Sequence, residues 1–94
     1  MIDESYLKKA VPTWKAIKED ILKLQRTFIF KDFQEALAFV INVGKLAERE
    51  QHHPDIIIHY NKVTLSLYTH SARGLTERDI HLAQVIDRLH IKAE

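Results

Sequence analysis

No cysteine, two glycines, two prolines and no long apolar run occur in this chain of 94 residues. Each scarcity removes a class of answer. Without cysteine there is no disulfide framework and no thiolate metal site, which suits a reducing cytosol and gives a cytoplasmic location as the expectation. Glycine and proline are too few for a flexible linker, no repeat or low-complexity segment is visible, and at 94 residues positions 1–94 are expected to form a single domain. No stretch approaches the ~18 apolar residues that a membrane span requires. Residues 1–9 are acidic and polar and do not read as a signal peptide, so a soluble protein is expected. Charge of one sign is also missing: Lys and Arg total 14 against 13 Asp and Glu, a net charge of +1 with His neutral. Such interspersed balance argues against nucleic acid as a direct partner. At this length only a little over ~60% of the unfolded surface can be buried, so self-association is expected from the outset.

What is present is strongly patterned. Leu7 to Val11 can form a short helix or arm closed by Pro12, and Trp14 to Lys18, Glu19-Asp20 and Ile21 to Phe30 read as a hairpin. In its second strand Leu22, Leu24, Phe28 and Phe30 alternate with Lys23, Gln25, Thr27 and Ile29, giving one core face and one wetter face. Asp32 followed by Glu35 has the form of a capping pair, and Phe33, Ala36, Leu37, Val40 and Gly44 then follow helical spacing to about Glu50. A second stripe, Phe39, Val43 and Leu46, makes this helix apolar on two sides, so it predicts a subunit contact there. Ile56 to Tyr60 and Val63 to His70 form a second hairpin through Asn61-Lys62, and Ser71 to Leu75 a loop. Thr76-Glu77-Arg78-Asp79 opens a last helix with Ile80, Ala83, Ile86 and Leu89 on one face. The order α-β-β-α-β-β-α predicts an α+β fold, a four-stranded antiparallel sheet with helices packed on one face.

Six histidines are many for such a chain, and three of them sit among carboxylates: Glu48, His52-His53-Pro54, then Tyr60, His70 and Asp79. Side chains that titrate near neutral pH suit proton transfer. Each also has a plainer reading. His52 and His53 follow a helix C-terminus, where an imidazolium complements the macrodipole. His70 could be a strand-end residue, and Asp79, three residues after Thr76, a capping carboxylate. Glu48 and His52, four apart, read either as a solvated helical pair or as an imidazole with its orienting carboxylate. Zinc is disfavoured, because neighbouring ligands in sequence rarely point at one ion and there is no His-Glu-x-x-His helix. A serine triad is disfavoured too, since neither Ser66 nor Ser71 stands on a glycine elbow.

Together the positions Glu48, His52-His53-Pro54, Tyr60, His70 and Asp79 resemble the signature of the pterin-4a-carbinolamine dehydratase family, with no gap or substitution. Trp14, Phe28 to Phe33, Tyr60 to Val63, Thr69-His70 and Gly74 to Ile80 resemble it as well, so the likeness runs from about Thr13 to Leu89. It implies dehydration of a 4a-hydroxytetrahydropterin to the quinonoid dihydropterin in tetrahydropterin recycling, without a cofactor or metal. His52, His53 and His70 would be the histidines of the site, Glu48 and Asp79 its supporting carboxylates. Trp14 and Pro54 would wall the pocket, with Thr69 and Ser71 at its rim. Many members carry aromatic residues after His-His-Pro where Ile56 and Ile57 stand here, which bears on pterin side-chain preference. The resemblance also implies a homo-oligomer, a dimer of dimers. Two alternatives come with it: a dimerisation cofactor of a homeodomain transcription factor, or a dehydratase for another pterin, as in molybdopterin metabolism. A hydroxylase or the transcription factor would be the protein partner.

Overall fold

In the computed structural model, which describes residues 2–93 and the side chains of 2–92, Asp32 does cap the central helix: its carboxylate accepts from the Glu35 N–H at 2.9 Å. Glu35 reaches back to the Lys31 N–H at 3.1 Å. The first bond satisfies a donor that a helix start otherwise leaves open, and the second ties down the residue before the cap. The elements follow as α1 (Glu4–Ala10), β1 (Lys15–Lys18), β2 (Leu22–Ile29), α2 (Phe33–Glu50), β3 (Asp55–His59), β4 (Lys62–Leu67) and α3 (Glu77–Ala93). A 3-10 turn, His70–Ala72, interrupts the loop before α3. The four strands lie in the order β1-β2-β4-β3 with every neighbouring pair antiparallel. This is the α+β order expected from the pattern.

The sheet's alternation decides which face is covered. Leu24 and Phe28 of β2 and Val63, Leu65 and Leu67 of β4 are buried under Ala36, Phe39, Val43 and Leu46 of α2 and Ile80, Leu82, Ala83 and Ile86 of α3. The opposite face carries Thr27 bonded to Thr64 at 2.9 Å and Gln25 bonded to Ser66 at 3.1 Å, flanked by exposed Ile29 and Ile57. Phe28 sits at the centre of an aromatic cluster, with ring centroids 4.9 Å from Phe39, 4.9 Å from His90 and 6.1 Å from Trp14. Because it is 2% exposed, Phe28→Ala is expected to cost about 3–5 kcal/mol through lost transfer energy and a cavity. Urea unfolding should show this as a lower midpoint with an unchanged slope.

Three sequence expectations need correction. The stripe Phe39, Val43 and Leu46 is the core-facing side of α2, not its spare side. Phe33, Leu37 and Ile41 are the residues left in solvent, at 46%, 37% and 57% exposure. Periodicity located both stripes, but only contact with the sheet decides between them. The second hairpin turns at Tyr60-Asn61, with His59 opposite Lys62, rather than at Asn61-Lys62. Tyr60 takes a left-handed φ of 57°, which costs a side-chain-bearing residue some strain. Asn61 secures the turn by donating its side-chain amide to the Phe30 carbonyl at 2.8 Å. Finally, β4 stops at Leu67, so Thr69 and His70 lie beyond the strand, where an isolated bridge joins Thr69 to Gly74.

Candidate active site

The way α2 ends sets the site. Gln51 adopts a left-handed φ of 52°, and two backbone bonds close the helix: Gln51 N–H to the Glu48 carbonyl at 3.3 Å and His52 N–H to the Ala47 carbonyl at 3.1 Å. This is the Schellman arrangement with glutamine where glycine is usual. The Gln51 side chain caps the Glu48 carbonyl at 2.7 Å, and Arg78 of α3 donates to the Gln51 carbonyl at 2.6 Å. The chain then passes through Pro54 into β3. His52 is turned inward, 8% exposed, while His53 is turned to solvent.

The inward ring meets a buried carboxylate. His52 Nε2 lies 2.5 Å from Asp79 Oδ1. Asp79 is fully buried, and its other oxygen accepts from the Thr69 hydroxyl at 2.7 Å and the Thr76 N–H at 2.9 Å. Thr69 and Thr76 hydroxyls are 2.7 Å apart, and the Arg78 N–H donates to Thr76 Oγ1 at 3.3 Å. An acceptor-only carboxylate at the end of this set fixes every proton's direction. Thr76 donates to Thr69, Thr69 to Asp79, and His52 donates Nε2–H to Asp79. For the neutral ring the lone pair is then at Nδ1.

His52, His53 and His70 line one cleft of about 380 Å³, together with Thr69 and Ser71. His53 pairs through Nε2 with Glu48 Oε2, both side chains well exposed. His70 is exposed at the start of the 3-10 turn, and its ring packs 6.1 Å from that of Tyr68. Glu48 is therefore the partner of His53, and Asp79 that of His52. The left-handed break at Gln51 takes His52 off the helical register that a Glu48–His52 pair needs. Asp79 fills its helix-initiating role as well, since one oxygen serves Thr76 while the other serves His52.

Trp14 lies elsewhere. Its indole donates to Asp87 at 2.8 Å, alongside Arg26 at 2.6 Å. It lines a separate pocket with Leu7, Pro12 and Ile17, so within one chain it is not a wall of the histidine cleft. Pro54 is half-buried and is not among the lining residues. Sequence reasoning passed over Gln51, Asp55, Tyr68 and Arg78, which do line the cleft. Their signal was position: each lies within two residues of a singled-out histidine or aspartate. A somewhat larger groove, about 450 Å³, runs between α2 and α3 beneath Lys45, Arg49 and Lys92. It holds no imidazole, so its size does not make it the reactive site. Among the described residues no group of three or more His, Cys, Asp or Glu side chains is placed to hold a metal ion. No helix there is long and apolar enough to cross a membrane.

Comparison with known proteins bears on this geometry. The family model described as pterin 4 alpha carbinolamine dehydratase matches residues 2–89. A protein of Thermomicrobium roseum, provisionally named a pterin-4-alpha-carbinolamine dehydratase, is 48% identical over 83 residues, covering 88% of this chain and 86% of its own. One of Sulfolobus acidocaldarius with the same provisional name is 38% identical, covering 94% and 97%. The crystal structure of a transcriptional coactivator/pterin dehydratase from Brucella melitensis superposes with a TM-score of 0.81 at 33% identity, covering 93% and 95%. A pterin dehydratase-like RuBisCO assembly factor of the alpha-carboxysome, at 22% identity and a TM-score of 0.70, shares the fold.

Proposed function

Because the chain belongs to the pterin 4 alpha carbinolamine dehydratase family, we propose that it removes water from a 4a-hydroxytetrahydropterin to give the quinonoid dihydropterin by histidine acid–base catalysis. One observation carries the reading: a buried carboxylate, held by two threonines, orients His52 at the wall of a cleft that two more imidazoles share. A carbinolamine bears hydroxyl and amine on one carbon. Protonating the 4a-oxygen lets the C4a–O bond break, the N5 lone pair forms the C4a=N5 bond, and N5 gives up its proton. One proton is delivered, one is removed, and water leaves.

The two ring environments suggest the roles. His52, with Nε2–H committed to Asp79, offers the Nδ1 lone pair as base at N5. His53, given a counter-ion by Glu48, is the acid at the 4a-oxygen, and His70 beside Tyr68 holds the bicyclic ring. Each proton transfer contributes about 10² to 10⁴ in rate. The test is direct. When a hydroxylase generates the 4a-hydroxy compound, its ultraviolet decay should be faster with this protein than in buffer, and an unchanged decay would refute the activity.

Self-association belongs to the same reading. Phe33, Leu37 and Ile41 make an uncovered apolar stripe along α2, beside Gly44, where an added Cβ would meet nothing within 4 Å. A second copy packing helix on helix would bury it, and so would an interacting protein such as a transcription factor. Ile41→Asp is expected to reduce the mass seen by light scattering with no change in far-ultraviolet circular dichroism. A wild-type monomer at micromolar concentration would contradict this.

A further inference from the structure

Besides its imidazoles, the cleft contains a single carboxylate, Asp55, and a single guanidinium, Arg78. The proton-transfer scheme uses neither. Asp55 is the first residue of β3, opposite Ser66 in register, and is exposed. His53 and Asp55 flank Pro54 at the entry to β3. Both line the same cleft. A ligand held at His53 therefore has a carboxylate on the wall of the same cleft.

We infer that Asp55 is the specificity-determining residue that reads the pyrimidinone edge of the substrate, accepting hydrogen bonds from its N3–H and 2-amino group. This inference rests on the pterin reading above and deepens it. The chemistry is that of a paired donor edge meeting a carboxylate, the geometry in which arginine is recognised. The pterin edge presents N–H donors side by side in the same plane, and the two oxygens of Asp55 match them. Arg78 complements this from the other element. One guanidinium nitrogen is committed to the Gln51 carbonyl, and its remaining N–H groups suit an acceptor such as the 4-oxo group beside N3. The carboxylate and the imidazoles thus divide the work, recognition at the pyrimidinone and proton transfer at C4a and N5.

Asp55→Asn separates these roles. The residue is exposed and outside the core, so circular dichroism and the unfolding midpoint should stay unchanged. Binding of 7,8-dihydropterin and of its 2-oxo counterpart, 7,8-dihydrolumazine, is measured by fluorescence titration, and the dehydration assay supplies KM and kcat. The wild type should prefer the pterin by about 10- to 100-fold, the range for hydrogen bonds to a charged acceptor. Asp55→Asn should erase that preference and raise KM by a similar factor, with kcat within a few-fold, and Asp55→Glu should restore part of it. An Asp55→Asn variant that keeps the full preference overturns the inference while leaving the dehydratase reading intact. A wild-type protein that binds neither compound and gives no rate acceleration overturns both.

Discussion

Replacing Asp79 with asparagine is expected to lower turnover by about two to four orders of magnitude while leaving a folded protein. The expectation comes from counting donors. Asp79 accepts from His52, Thr69 and Thr76 in a fully buried position. An amide has one accepting end. If its oxygen keeps the two threonine donors, its NH₂ faces His52 Nε2, and the ring must move its proton to Nδ1, the nitrogen proposed to act as base. If the amide is turned the other way, NH₂ meets the Thr76 N–H and one donor loses its partner, at about 1–3 kcal/mol. Either orientation damages the site. Denaturant unfolding and the ultraviolet assay on the same preparation separate the two losses, and near wild-type turnover would remove Asp79 from the mechanism.

The second large effect is the double replacement of His52 and His70 by alanine. Two independent contributions to proton handling and ring placement disappear, and the expected result is no acceleration over the buffer reaction. His70 is exposed and its loss disturbs little packing. Removing His52 leaves one Asp79 oxygen without its donor, so some stability is lost, about 1–3 kcal/mol. Circular dichroism at the assay temperature confirms the fold. Unchanged turnover in a folded double variant would contradict both the base role of His52 and the ring-holding role of His70.

Much of the architecture could be read from residue pattern, because its signals are local. The Asp32–Glu35 cap, the alternation through Leu24 and Phe28, and the α3 face of Ile80, Ala83 and Ile86 each depend on neighbours a few residues apart. What needed the fold was the choice between equivalents. Helix α2 has apolar residues over more than half its circumference, and Phe39 rather than Leu37 faces the sheet because it packs on Phe28 and Phe30 at 4.9 Å. In the site, His52, His53 and His70 were legible as a group, and the structure brings them to one cleft. Their partners were not legible. Helical spacing joins Glu48 to His52, but the left-handed Gln51 redirects the chain, so Glu48 meets His53 and His52 turns to Asp79, 27 residues on. Trp14 is committed to Asp87, a contact 73 residues apart that no local pattern announces. Asp55 and Arg78 carried no signal apart from lying next to residues already singled out.

The central claim is that the Asp79 carboxylate fixes His52 as the Nε2–H tautomer, leaving Nδ1 for the proposed base role. Two-bond nitrogen–proton correlation of the imidazoles by NMR reads this directly. The account predicts the Nε2–H form for His52 in the wild type and its conversion to Nδ1–H in Asp79→Asn. An Nδ1–H ring in the wild-type protein would contradict it.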